Sequence, residues 1–271
     1  MSLFGKMNRL VSMGGLSLFL CLVSCDNPLQ SVSVEQYSVY LSGSEYIEVP
    51  YSPSLDSLNS GQFSIELFVQ PDSITGQDSP ALFMVSNDSG GNEIGLYRNF
   101  ARDDMLMTYM GDRPVPGVNN VPIPGFQFTD GQWHFIAITY DSGAVTLYID
   151  GQRLLTGQLP DSTRLHISHR SLLIGADYDG TTVGNHWNGL IDEVRLWNTV
   201  LTGEEIRFHM ENPDQLSKNY DRTRRPQDLL LGLWRFNEGS GQAVTDASDY
   251  ENHGTIVRHH SGIWRATGMA N

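Results

Sequence analysis

The segment Phe63-Ser64-Ile65-Glu66-Leu67-Phe68-Val69-Gln70 puts Phe63, Ile65, Leu67 and Val69 on one side of an extended chain. Ser64, Glu66 and Gln70 fall on the other side. A helix cannot satisfy a period of two, because its buried stripe returns every three to four residues. The pattern demands strands with one apolar face, and a second layer to bury that face against. Tyr37-Ser38-Val39-Tyr40-Leu41 alternates too, Ser42-Gly43-Ser44 turns, and Tyr46-Ile47-Glu48-Val49 resumes. Further short apolar runs occupy 81–85, 94–97, 105–109, 133–140, 145–150, 172–174 and 190–197, separated by Gly, Asn, Asp and Pro. Asp150-Gly151 predicts a two-residue hairpin, because both positions accept positive φ. So many short strands predict an all-β chain built as a two-sheet antiparallel sandwich.

One short helix is expected near residues 202–211. Thr202 can cap it, Glu205 completes a capping box, Ile206 and Met210 lie one turn apart, and Asn212-Pro213 ends it. A polar, basic-rich link follows over 212–228, then another strand over 229–236.

The N-terminus reads as an address. Lys6 and Arg9 precede an apolar stretch from Leu10 to Val23, too short for a standard membrane span. It closes on Leu22-Val23-Ser24-Cys25, which resembles the lipobox of bacterial lipoprotein signal peptides. That resemblance implies a signal peptide over 1–24, cleavage before Cys25, and a lipid on its thiol as membrane anchor. An ordinary secretory leader that happens to end in Cys is the other reading. Acyl chains contribute roughly 0.8 kcal/mol per buried methylene, so two or three hold a protein durably on a bilayer. Residues 25–36 read as the lipidated tether, and the expected location is the cell envelope, outside the cytoplasm.

Cys21 and Cys25 are the only cysteines in this sequence, so the folded part can form no disulfide. The formal charge of −14 argues against nucleic acid as a partner, since phosphates need clustered Lys and Arg. It is compatible with calcium binding or with simple solubility.

The strand motifs resemble a known family. Tyr46-Ile47-Glu48-Val49-Pro50-Tyr51-Ser52-Pro53-Ser54-Leu55 is similar to the opening of a laminin G-like, concanavalin A-like jelly roll. The 63–69 strand, Gly131-Gln132-Trp133-His134-Phe135-Ile136-Ala137-Ile138-Thr139-Tyr140-Asp141, and Leu147-Tyr148-Ile149-Asp150-Gly151 continue it. Gly189-Leu190-Ile191-Asp192-Glu193-Val194-Arg195-Leu196-Trp197-Asn198 and the capped helix close it. The resemblance implies a jelly roll over 37–211. The tail around Gly232-Leu233-Trp234-Arg235-Phe236 resembles a segment that often precedes such a domain. Here 229–271 is expected to fold back and complete the sandwich, because Trp234, Phe236, Ile256 and Trp264 would otherwise stay exposed. A truncated second repeat is the alternative.

The domain also resembles pentraxins. Leu173-Ile174-Gly175-Ala176-Asp177-Tyr178-Asp179 is similar to their calcium-binding strand and loop, which implies Asp177, Asp179 and Asn92 as metal ligands. Gly91 stands where that pattern has an aspartate, and Glu66 and Ala137 occupy its disulfide positions. A solvated turn is the other reading of these residues. Tyr97, Tyr109, Tyr178, His186 and Trp187 are candidates for stacking on sugar rings, against ordinary packing. Alternation places Asp192 inward beside Leu190, Val194 and Leu196, where a buried carboxylate must find N–H groups, an arginine or a metal. Glu193 then faces water. His134, His166, His169, His259 and His260 show no metal spacing.

Related folds include laminarinase-type glycoside hydrolases, but no Glu-x-Asp-x-Glu or Glu-x-Asp-x-x-Glu pattern occurs here. The expectation is a binding or adhesion module rather than an enzyme, with glycan as ligand and calcium as a helper. A protein-interaction or scaffold domain for an envelope or extracellular protein is the alternative.

Overall fold

The computed structural model describes residues 36–72, 79–99, 101–160, 163, 165–216 and 226–266. The leader, Cys25, nearly all of the tether and the middle of the 212–228 link lie outside them. In chain order the first strands are β1 (Ser38–Ser42), β2 (Tyr46–Val49), β3 (Gln62–Pro71), β4 (Ala81–Ser86), β5 (Asn92–Arg98) and β6 (Leu106–Met110). Next come β7 (His134–Asp141), β8 (Ala144–Ile149), β9 (Gln152–Gln158), β10 (Leu172–Ile174), β11 (Asp177–Asp179) and β12 (Thr182–Gly184). β13 (Asn188–Trp197), helix α1 (Gly203–Glu211), β14 (Leu230–Trp234), β15 (Ala243–Val244), β16 (Gly254–Val257) and β17 (Trp264–Arg265) follow. They form an eight-stranded sheet ordered β17-β1-β13-β3-β7-β8-β9, with β14 also on β13. A seven-stranded sheet is ordered β15-β16-β2-β10-β4-β5-β6, and β11 and β12 make a separate hairpin. The chain is an all-β jelly-roll sandwich with antiparallel sheets.

Alternation along β3 sets the packing. Phe63, Ile65 and Leu67 stand opposite Tyr140, Ile138 and Ile136 of β7. These share one core with Ile47, Val49, Phe83, Val85, Ile94 and Leu96 of the other sheet. Each such side chain contributes about 1.5–3 kcal/mol on burial, and no cross-link assists. The β8–β9 turn has Asp150 at φ 49° and Gly151 at φ 71°, the positive pair that a tight hairpin needs. Neither β6 nor β9 is left as an open edge. Leu106 and Thr108 carbonyls accept from Asn120 and Val115 N–H groups. The same loop reaches β9, where a Cβ on Gly157 would lie 2.1 Å from the Pro116 carbonyl oxygen. This loop blocks strand addition on both edges.

Two expectations fail on β13, for one reason. The pairing with β3 shifts register between Asp192 and Arg195, and Glu193 sits at φ 46°. The extra residue of this bulge lets Ile191 and Val194 both enter the inter-sheet core. Asp192 instead lies opposite Phe68, on the outer face of the eight-stranded sheet. It is buried nonetheless, with Oδ2 accepting from Ser38 Oγ at 2.7 Å and Oδ1 from Glu193 N–H at 2.8 Å. The bulge is also where β13 changes neighbours along one edge, pairing with β1 before it and β14 after it. Asp192 supplies acceptors where that ladder is interrupted. Glu193 does not face water. It is 2% exposed and its carboxylate meets Arg195 at 2.9 Å and Arg235 at 2.8 Å.

That outer face carries a second core of Phe68, Phe135, Tyr148, Trp197, Leu201 and Ile206. Helix α1 covers it, capped by Thr202 with Glu205 closing the box. Glu66, fully buried beneath, accepts from Trp197 Nε1 at 2.9 Å and meets His209 Nδ1 at 3.0 Å. The His209 ring stacks on the Trp197 indole, 5.2 Å between centroids.

The tail enters both sheets. β14 pairs with β13, β16 with β2 and β17 with β1. Trp234, Phe236 and Ile256 are buried there, and Trp234 Nε1 donates to the Asn252 carbonyl at 2.9 Å.

Candidate functional site

Period-two alternation that buries Ile47, Leu172, Ile174, Ile94 and Leu96 sends their neighbours to the outer face of the seven-stranded sheet. Tyr46 and Glu48 on β2, Tyr97 on β5 and Tyr109 on β6 stand there. The β11–β12 hairpin folds onto this face over β4 and β5. Beneath it the Tyr97 ring lies against Gly95, where a Cβ would come within 2.6 Å of the ring. Tyr97 Oη donates to Asn92 Oδ1, and the Asp177 charge acts on this hydroxyl from nearby. Asn185 Nδ2 donates to both Asp177 oxygens at 3.1 Å. Burial raises the Asp177 pKa, while the Asn185 and Tyr97 hydrogen bonds oppose the rise. Burial, then the Asp177 charge, keeps Tyr97 a protonated donor.

Around this buried knot the surface is aromatic and polar. Tyr109 is partly exposed and meets Tyr97 edge-on at 5.8 Å. Tyr46 and His186 lie 5.7 Å apart. The Arg170 guanidinium sits 4.1 Å above the Tyr178 ring, and Glu48 accepts from Ser171 Oγ at 2.8 Å. Burial, then the Glu48 charge, raises the pKa of both the Tyr46 and the Tyr178 phenol. Burial, followed by the Arg258 charge, lowers His186, so its imidazole is neutral at pH 7. The arrangement offers flat apolar rings beside hydrogen-bonding groups of both signs.

The residues implied as calcium ligands do not fit a cation as they stand. Calcium takes six to eight oxygens. Asn92 and Asp177 are brought together, but their oxygens are engaged by Tyr97 and Asn185. Asp179 is exposed at the hairpin end, paired in register with Thr182. Among the described residues no group of three His, Cys, Asp or Glu side chains could hold a metal.

Of the five aromatic candidates, Tyr109, Tyr178 and His186 are partly exposed on this face. Tyr97 is 3% exposed and serves as the support beneath it. Trp187 is withdrawn altogether: it is 0% exposed in the inter-sheet core, near Phe128. Sequence reasoning missed Tyr46 and Glu48, although the alternation of β2 already put them opposite Ile47 and Val49. Asn185 and Arg170 carried no such signal, because their roles depend on how the hairpin folds over. His134 is buried between Asp150 and Asp130, at 3.1 and 3.2 Å.

Comparison with known families matches residues 41–207 to the concanavalin A-like lectin/glucanases superfamily, in its laminin G type. No curated protein matches the chain. Among solved structures, a candidate carbohydrate-binding protein from Bacteroides ovatus is similar at 18% identity and a TM-score of 0.54. The match covers 82% of this chain and 58% of that one, so this chain spans little more than half of its length. Domain 4 of an extracellular arabinanase from Geobacillus stearothermophilus, in complex with arabinotriose, matches at 23% identity and TM-score 0.45, covering 63% and 75%. A heptameric pentraxin from Limulus polyphemus matches at 16% identity and TM-score 0.48, covering 72% and 88%. With the family match spanning most of the sandwich, the chain belongs to the concanavalin A-like lectin/glucanases superfamily.

Proposed function

We propose that the protein is a glycan-binding module of the bacterial cell envelope, tethered by lipid on Cys25, and that it binds rather than cleaves its ligand. The observation that carries this reading is the outer sheet face. Tyr46, Tyr109 and Tyr178 are partly exposed there beside Glu48, Arg170 and His186. A sugar ring has an apolar C–H face and a rim of hydroxyls, which are the complements of such a surface. The description of the Bacteroides ovatus neighbour as a candidate carbohydrate-binding protein supports the reading by analogy of fold.

A calcium-assisted form would need Asn185 to release Asp177 and Tyr97 to release Asn92, with Asp179 adding oxygens. Millimolar calcium should then raise the melting temperature, and an unchanged melting curve removes that form. The main test is a glycan array, run with and without chelator. We expect a discrete set of glycans, each bound about tenfold more weakly by Tyr46→Ala and Tyr178→Ala. No glycan bound under either condition defeats the proposal, and a stoichiometric protein partner insensitive to sugars would replace it. For the anchor, Cys25→Ser should abolish incorporation of labelled palmitate and release the protein from membranes.

A further inference from the structure

His134 opens β7 with its imidazole held between carboxylates from two different segments. Nδ1 meets Asp150 Oδ2 at 3.1 Å, and Nε2 meets Asp130 Oδ1 at 3.2 Å. The side chain is buried, with the Phe126 ring edge-on to it at 4.8 Å. Val69, its partner across on β3, adds no charge. Among the described residues, the charged groups facing the ring are Asp130 from the loop before β7 and Asp150 from the β8–β9 turn. Contact with a carboxylate oxygen at each ring nitrogen asks for two N–H donors, and a neutral imidazole has only one. Burial lowers the His134 pKa, but Asp150 and then Asp130 outweigh it, so the pKa stands above the ordinary histidine value.

The two carboxylates are not held alike. Asp150 is locked into the turn: Oδ1 accepts from Phe135 N–H at 2.9 Å, and its own N–H donates to the Phe135 carbonyl at 2.8 Å. Asp130 Oδ1 accepts from Gln132 N–H at 2.8 Å, and its side chain borders a cleft of about 320 Å³ with Asp104, Phe126 and Gln127. When the ring loses a proton, the N–H that remains belongs on Nδ1, toward the fixed Asp150. Nε2 then aims a lone pair at Asp130 Oδ1, and two acceptors at that distance repel. The backbone on either side cannot follow. Thr129 N–H donates to Asp103 Oδ2 at 3.0 Å, and the Gly131 carbonyl accepts from Gln70 Nε2 at 2.7 Å. What turns is the Asp130 side chain. Asp104, the other carboxylate of the described lining, stays with Arg102 at 2.9 and 2.7 Å.

We propose that His134 is a pH-operated latch on Asp130: charged, it holds the carboxylate inward; neutral, it releases that charge into the cleft. None of the sheet-face residues takes part, so the latch stands apart from the glycan reading. A raised folded pKa keeps the latch fully closed below about pH 6.5 and opens it as pH climbs through the folded value. The test is an NMR titration of the full chain from about pH 5 to about pH 9, with the His134 ring assigned through its contact to Phe126. The ring should titrate above about pH 6.5 and emerge as the Nδ1–H tautomer. The Gln132 amide and the Asp130 carboxyl carbon should shift with the same midpoint. In Asp130→Asn the amide can donate to a neutral Nε2. The His134 midpoint should then fall by about 1 pH unit, and the Gln132 amide should cease to follow it. A wild-type midpoint at or below about pH 6.5 overturns the latch, as does a neutral ring in the Nε2–H form. So does a Gln132 amide that stays flat through the midpoint, or that still follows it in Asp130→Asn.

Discussion

A carboxylate buried outside an ion pair is costly, and Asp192 is such a group: 3% exposed, and among the described residues hydrogen-bonded by Ser38 and the Glu193 N–H. Burial drives its pKa well above the ordinary aspartate value. The sign follows directly. A group whose folded pKa is raised contributes its stability below the unfolded value, and loses it as pH climbs through the folded one. Asparagine in its place could still accept from Glu193 N–H and would offer its amide to Ser38. Asp192→Asn should therefore gain on the wild type in urea midpoint between about pH 5 and about pH 8. An equal offset at both values would show that the carboxylate does not titrate in place. Asp192→Ala strands the Glu193 N–H and should cost about 1–3 kcal/mol. That Asp192 is buried was legible from its apolar neighbours. Which face it takes was not, because strict alternation cannot register the bulge at Glu193. Trp187 failed for a related reason: nothing local separates an aromatic in the core from one at the surface.

Elements show the same division between local signals and tertiary ones. The capping box of α1 and the Asp150-Gly151 hairpin were legible because their reasons lie within a few residues. What α1 covers was not. Glu66 reads from sequence as a solvent-facing residue of β3, yet it is fully buried against Trp197 and His209. The candidate site depends on a comparable tertiary fit at β5, where Tyr97 lies flat on Gly95. A methyl group there, 2.6 Å from the ring, must push Tyr97 and with it the hydrogen bond to Asn92. Overpacking of this kind costs about 1–3 kcal/mol. We expect Gly95→Ala to lower stability by that amount and to weaken sheet-face glycan binding. Unaltered binding would mean that the hairpin is not seated through Tyr97.

At the scale of the molecule, the family match ends at residue 207, but the sheets do not. β14 takes the edge of β13 that β1 leaves after the bulge, β16 borders β2, and β17 borders β1. Their side chains are structural: Trp234 and Phe236 are 0% exposed and Ile256 1%. Asn252 binds this region to the start of the domain through Ser54 and the Leu231 carbonyl. Burial of three such side chains at about 1.5–3 kcal/mol each approaches the whole stability of a domain, about 5–15 kcal/mol. A chain ending at residue 225 loses those groups and also unpairs one edge each of β1, β2 and β13. With no disulfide to compensate, it should show no cooperative urea transition. Trp234→Ala in the full chain offers a graded version, with an expected loss of about 3–5 kcal/mol and a transition that remains sharp. A chain ended at residue 225 that unfolds cooperatively near the full-length midpoint would mean the 37–211 jelly roll stands alone, with the last strands as an appendage.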